Sequence, residues 1–267
     1  MTERLKQILN NLHKYTPGNL AYVNFGLDGS ILYDALVVAP SYSPPKILKD
    51  GSFSITELQI QSYCAGYLVE KDGLKIAWIK TAAGGCNILD FLLICGELRF
   101  KRLIFIGAVG ALKANFEIGE ICTATYSIAG TLANTYLKGN LKDYTPFEKI
   151  YPDQAYTAEI MELAHRCGHP IRAASVFCTD SVVMEYTHLD EIKAFGTDLI
   201  EMETATFYAV AELMRIPAIA LLVVSDNSAT GVPLMGRSDD LQAQYEYART
   251  VVLPELIYRI AEAAENA

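Results

Sequence analysis

Two acidic side chains, Glu201 and Glu203, flank Met202 at the start of an apolar helical pattern, and a third, Asp226, follows the apolar run Ile219 to Val224 within Val224-Ser225-Asp226-Asn227. Carboxyl groups brought together beyond the ends of strands can stabilise a developing cation and deliver a proton to a leaving group, which is the chemistry of glycosidic bond cleavage. Each residue also has a plain structural role open to it. Glu201 and Glu203 suit a helix N-terminus, where the macrodipole favours negative charge by roughly 0.3–1 kcal/mol. Ser225-Asp226-Asn227 is good turn chemistry after a strand.

The elements that must position these residues alternate between short aliphatic runs and helical periodicity. Ala35 to Val38, Ile76 to Ile79, Leu103 to Ile106, Ile121 to Tyr126, Ile171 to Phe177 and Ile219 to Val224 read as strands buried on both faces. Thr56 to Val69, Ile88 to Leu98, Tyr156 to Cys167, Thr204 to Met214 and Asp239 to Ala264 read as helices, the last kinked or divided at Pro254. Pro217 ends the helix before it and launches the next strand. The alternation predicts an α/β fold: a central mixed, mainly parallel, twisted sheet with helices on both faces. No repeat or linker divides the chain, so residues 1–267 are expected to form one domain.

Ligands of such sheets collect beyond the carboxyl ends of strands. Three further segments fall there, Pro40 to Lys46, Thr81 to Asn87 and Gly107 to Leu112. Thr81-Ala82-Ala83-Gly84-Gly85-Cys86-Asn87 joins a strand to a helix and reads either as an anion- or hydroxyl-binding turn or as a plain tight turn. Gly107-Ala108-Val109-Gly110 lets backbone approach a flat ligand, or marks an ordinary loop.

Composition narrows the function classes. The chain holds 22 Lys and Arg against 31 Asp and Glu, a net charge of −9, which argues against a nucleic-acid partner. Ala205 to Val224 is broken by Glu212, Arg215 and Pro217, short of the roughly 20 apolar residues that cross a bilayer, and Met1 to Lys14 lacks the apolar run of a secretory signal. The expectation is a cytoplasmic protein without a membrane partner. Six cysteines form no C-x-x-C pair and read as reduced, mostly buried thiols. His13, His165, His169 and His188 show no metal-site pattern and read as surface or helix-end residues.

From about Asp34 onward, the order and spacing of these segments resemble the nucleoside phosphorylase and nucleosidase superfamily, with Glu-Met-Glu-Thr-Ala (201–205) followed by Val-Ser-Asp (224–226) as the most specific pair. The resemblance implies an enzyme cleaving the N-glycosidic bond of purine or pyrimidine nucleosides to free base and ribose 1-phosphate. Asp226 is then the acid that protonates or holds the leaving base. Glu203 accepts from ribose hydroxyls, Met202 packs on the sugar, and Glu201 belongs to the same wall. Val109 and Gly110 line the base, Gly84 and Gly85 form the glycine-rich turn, and Asn227 is a candidate partner for a base edge. The resemblance implies no cofactor, phosphate as a possible co-substrate, a small-molecule nucleoside as the only other partner, and a homo-oligomer of two, three or six chains. Residues 1–33 have no counterpart and form an atypical N-terminal segment.

The departures from the family pattern fall on the acceptor side. Where the family's phosphorylases carry R-x-G-[ST]-x-G, this chain reads Phe105-Ile106-Gly107-Ala108-Val109-Gly110, without the arginine or the hydroxyl. Pro40 to Lys46 stands in place of an anion-binding turn and offers only Lys46, which cannot form the bidentate fork of an arginine. No aromatic follows the strand ending near Asp180, where Ser181, Val182 and Val183 stand, and no glutamate lies in Val37 to Lys46 to activate water as in the nucleosidases. Phosphorolysis, hydrolysis and non-catalytic nucleoside binding all stay open.

Overall fold

Uninterrupted aliphatic runs become strands here because helices cover both faces of the sheet they form. The computed structural model describes residues 1–263. Its strands are β1 Leu32–Tyr33, β2 Ala35–Pro40, β3 Ser54–Ile60, β4 Ala65–Lys71, β5 Leu74–Thr81, β6 Arg99–Phe100, β7 Leu103–Ala111, β8 Ile121–Ala129, β9 Lys149–Ile150, β10 Arg172–Cys178, β11 Leu199–Glu201 and β12 Ala218–Asn227. Its helices are α1 Glu3–Tyr15, α2 Leu20–Phe25, α3 Pro44–Ile47, α4 Gly85–Ile94, α5 Gln154–Arg166, α6 Val182–Glu185, α7 Leu189–Ala194, α8 Thr204–Met214, α9 Asp239–Tyr247 and α10 Leu253–Ala263. The principal sheet has ten strands, in the order β11-β10-β8-β12-β7-β2-β5-β4-β3, with β9 added alongside β8. β2, β5, β7 and β12 pair in parallel, as do β8, β10 and β11, while β12–β8 and the β3–β4–β5 pairings are antiparallel.

One further pairing shapes the site. β11 turns back to pair antiparallel with β7, Ile200 opposite Gly110 and Leu199 opposite Ala111, so that five strands close on themselves. On the other side of β7, β12 sets Val224 opposite Val109 and Asp226 opposite Gly110, leaving Ser225 as an extra residue in a bulge. Such a bulge re-aims the side chains that follow it. The closed ring therefore brings Glu201, Gly110 and Asp226 to one rim.

Most of the expected elements are present, with one replacement. The segment Thr56 to Val69, expected as a helix, forms the β3–β4 hairpin, closed where Gln61 N–H donates to the carbonyl of Cys64. Its apolar residues serve both a helical and an alternating pattern. Pairing along β5, with Tyr67 opposite Trp78 and Val69 opposite Ile76, decides in favour of strand. The long C-terminal pattern divides as expected into two helices in series, α9 and α10, joined by a π-helical turn at Ala248–Val252; residue 264 lies outside the described residues. The N-terminal segment packs on its own chain: Leu5 and Leu9 of α1 are buried, and Thr2 donates to the carbonyl of Leu213 in α8. Cys64, Cys95, Cys122 and Cys178 are buried, whereas Cys86 is exposed. Among the described residues no helix is long and apolar enough to cross a membrane.

Candidate functional site

β12 is buried along its length except at Asp226, where the strand meets a cavity of about 240 Å³. Gly107 to Gly110, Ile200 to Glu203, Pro40 to Tyr42, Ala83, Val182, Glu185, Ser225 and Leu234 complete its lining. The sequence-expected residues Asp226, Glu201, Met202, Glu203, Val109 and Gly110 thus come together from three strands.

Gly110 is where those strands press closest. A Cβ there would stand 2.8 Å from Asp226 Oδ2 and 3.1 Å from Ile200 Cγ2, so only glycine leaves the carboxyl in place. Ser225 Oγ donates to Asp226 Oδ1 at 2.6 Å. Burial raises the Asp226 carboxyl above the ordinary aspartate range, against the opposing pull of the Ser225 hydroxyl and the Arg237 charge. The outcome is a carboxyl that burial makes less acidic, set beside a cavity.

The two glutamates of the Glu-Met-Glu segment divide into different tasks. Glu201 Oε2 accepts from the backbone N–H groups of Glu203 and Thr204 at 2.7 and 2.9 Å, and its Oε1 accepts from the Thr204 hydroxyl and the Cys178 thiol. It caps α8 from within the core. Burial raises its carboxyl, and these four donors oppose the rise. The Cys178 thiol is pushed well up by burial and by Glu201, so it stays a donor. Glu203 accepts from the Gly84 N–H at 2.6 Å through Oε1 alone. Burial, reinforced by the charge of Glu201, pushes the Glu203 carboxyl up to about 8.

Three expected residues stand behind the cavity wall rather than on it. Gly84 serves through its N–H, which its left-handed backbone (φ +102°) aims at Glu203. Gly85 opens α4 and lies against α8, where a Cβ would come within 2.9 Å of Thr206 Oγ1. Asn227 is corrected from a candidate base partner to a loop brace. Its side-chain amide donates to the carbonyls of Lys113 and Phe116 and accepts from Ala229 and Thr230 N–H, and it is 1% exposed.

Sequence reasoning missed Glu185 and Arg237, and reached Tyr42 only as part of the strand-end stretch Pro40 to Lys46. Tyr42 lines the cavity with its carbonyl held by Trp78 Nε1 and its hydroxyl 2.8 Å from that of Tyr245. Arg237 stacks over the Tyr245 ring and donates to the carbonyls of Ser225 and Leu234, fastening the loop after β12 beside Asp226. Glu185 ends α6, whose start was marked in the sequence by Ser181, the residue that caps it by accepting from Met184 N–H. Lys46 is exposed and does not line the cavity. Among the described residues no group of three His, Cys, Asp or Glu side chains could hold a metal.

Comparison with known proteins gives the family and the fold. The family model described as the phosphorylase superfamily matches residues 83–251, more than half of the chain. The DeoD-type purine nucleoside phosphorylase of Bacillus velezensis is 28% identical over 170 residues, 62% of this chain and 70% of that protein. Among solved structures, the 5′-methylthioadenosine/S-adenosyl homocysteine nucleosidase of Campylobacter jejuni shares the fold at a TM-score of 0.65 and 19% identity, covering 86% of this chain and 98% of its own. The AMP nucleosidase of Bacteroides thetaiotaomicron does so at 0.65 and 17% identity, covering 98% of each.

Proposed function

The chain belongs to the phosphorylase superfamily, and on that premise we propose that it cleaves the N-glycosidic bond of a nucleoside, with Asp226 as the acid on the leaving base and Glu203 on the ribose. The observation that carries this reading is the meeting, on the wall of one cavity, of Asp226, whose carboxyl burial raises, and Glu203, which the Gly84 N–H holds through one oxygen. As the C1′–N bond breaks, its electron pair goes to the base, which takes the proton of Asp226. Positive charge grows on the sugar, where the Glu203 carboxylate stabilises it. Glu201 acts one step removed, by holding the segment that carries Glu203.

Water is the acceptor this lining favours. Glu185, Glu201, Glu203 and Asp226 face or back the cavity, and no Lys, Arg or His is among its described lining residues. A phosphate dianion placed there would meet carboxyl groups without a guanidinium or ammonium to compensate. The added water gives up a proton that restores Asp226. No cofactor enters this scheme. The test is product analysis with purine and pyrimidine nucleosides, with and without phosphate. Free base with free ribose in phosphate-free buffer supports hydrolysis. Base released only with phosphate, as ribose 1-phosphate, replaces it with phosphorolysis, and nucleoside bound without any release replaces both with a binding role.

Self-association in the cytoplasm is part of the same proposal. Tyr144, Phe147, Tyr151, Met184, Tyr186 and Phe195 are exposed, and Phe147 packs against Phe195 with ring centres 4.7 Å apart and the rings tilted. Sedimentation at micromolar concentration is expected to show more than one chain per particle; a monomer would remove the oligomer from the account.

A further inference from the structure

We propose that Glu185 reads the outer edge of the base and selects bases that carry an exocyclic amine. The inference rests on the assignment of the Asp226 side of the cavity to the base. On that side the lining is backbone and small apolar groups, Gly107 to Gly110 and Val182, with Ser225, Asp226 and Glu185 as the polar side chains. The Ser225 hydroxyl already donates to Asp226. Glu185 and Asp226 reach the cavity from different elements, the end of α6 and the end of β12.

Other acids withdrawn from water on this chain are held by partners. Asp34 is held by Lys101, Asp198 by Lys113 and Ser175, and Glu120 by Arg172. The Glu185 side chain makes no hydrogen bond or ion pair with any described residue, although it is partly buried and lines the cavity. A carboxyl withdrawn from water without a donor is disfavoured, and a ligand that supplies the donor relieves that cost. Burial and the nearby Asp226 push this carboxyl up to about 7, so both protonation states are populated near neutrality. An amine can donate to an oxygen of either state. A base carbonyl at the same place would meet a donor only in the protonated one.

Calorimetric titration with adenine, 2-aminopurine and unsubstituted purine isolates the amine, since the three differ in nothing else at the ring edge. The protein is expected to bind one of the two aminopurines about tenfold or more tighter than purine, as a site built around a hydrogen bond rejects the analogue that lacks it. Glu185→Ala should erase that preference. Glu185→Gln, whose side-chain carbonyl still accepts, should retain part of it, and a general loss of structure would weaken all three ligands alike. Equal binding of purine and both aminopurines, a preference that survives in Glu185→Ala, or no binding of any of the three would overturn the proposal. Free-base binding needs no catalysis, so a failure of the proposed reaction leaves this result readable on its own.

Discussion

The backbone N–H of Gly84 donates to Glu203 Oε1 at 2.6 Å, tying the turn before α4 to the segment between β11 and α8. That bond fixes one oxygen of the carboxyl. A carboxylate so placed can accept from the 2′-hydroxyl of a ribose. Glu203→Ala is therefore expected to lower kcat/KM for ribosides by roughly tenfold more than for 2′-deoxyribosides, the value of about one charged hydrogen bond. Equal losses on both would detach Glu203 from the 2′-hydroxyl.

The protonation of Glu203 gives stability a defined slope. Its folded value, about 8, lies above its ordinary value of 4.5, so the folded chain holds a proton that the unfolded chain releases between those limits. Stability from this group is full below about pH 4.5 and is lost as pH rises through about 8. Between pH 6 and 8 the thermal midpoint should fall with rising pH, and Glu203→Gln should flatten the fall. An unaltered slope in the variant would mean that other groups set it. Ribose hydroxyls favour the ionised form, so nucleoside binding at neutral pH should release protons, seen as a buffer-dependent binding enthalpy.

Glu201 is a matter of stability rather than contact. All of its acceptor positions face donors, two of them backbone N–H groups at the start of α8. Glu201→Gln turns one acceptor into a donor against donors. A loss of about 1–3 kcal/mol follows, equivalent to roughly 3–10 °C in Tm for a chain of this size. A Tm shift below 1 °C would contradict the capping role.

Gly110→Ala tests the closure of the strand ring. The new methyl would contact Asp226 Oδ2 and Ile200 Cγ2. The closer of the two contacts is with Asp226 Oδ2, so turnover should fall at least about tenfold, because misplacing a catalytic group by an ångström carries such a penalty. Full activity in a folded Gly110→Ala protein would separate Asp226 from the reacting bond.

Asp226 and the Glu201–Glu203 pair were legible in sequence because strand-end acids interrupt long apolar runs, and the runs themselves announced the parallel sheet. The division of labour between the glutamates was not, since it depends on Cys178 and Gly84, residues distant in sequence that only the folded strands bring near. Asn227 misled for the same reason: its amide is absorbed by carbonyls at Lys113 and Phe116. The hairpin at Ser54–Lys71 was hidden because its apolar spacing fits two periods, and pairing with β5 supplies the deciding contacts. Glu185 escaped notice because α6 is a single short turn whose place over the cavity follows from β10 and not from any local pattern.

The most direct test of the account is the rate of base release by Asp226→Asn against the unaltered protein, on whichever nucleoside is turned over fastest. The asparagine keeps the size of the side chain and removes its acidic proton, so a fall of about two to four orders of magnitude is expected, with the fold and nucleoside binding retained. Base released at an unchanged rate would contradict the assignment of Asp226 as the acid, and with it the central claim.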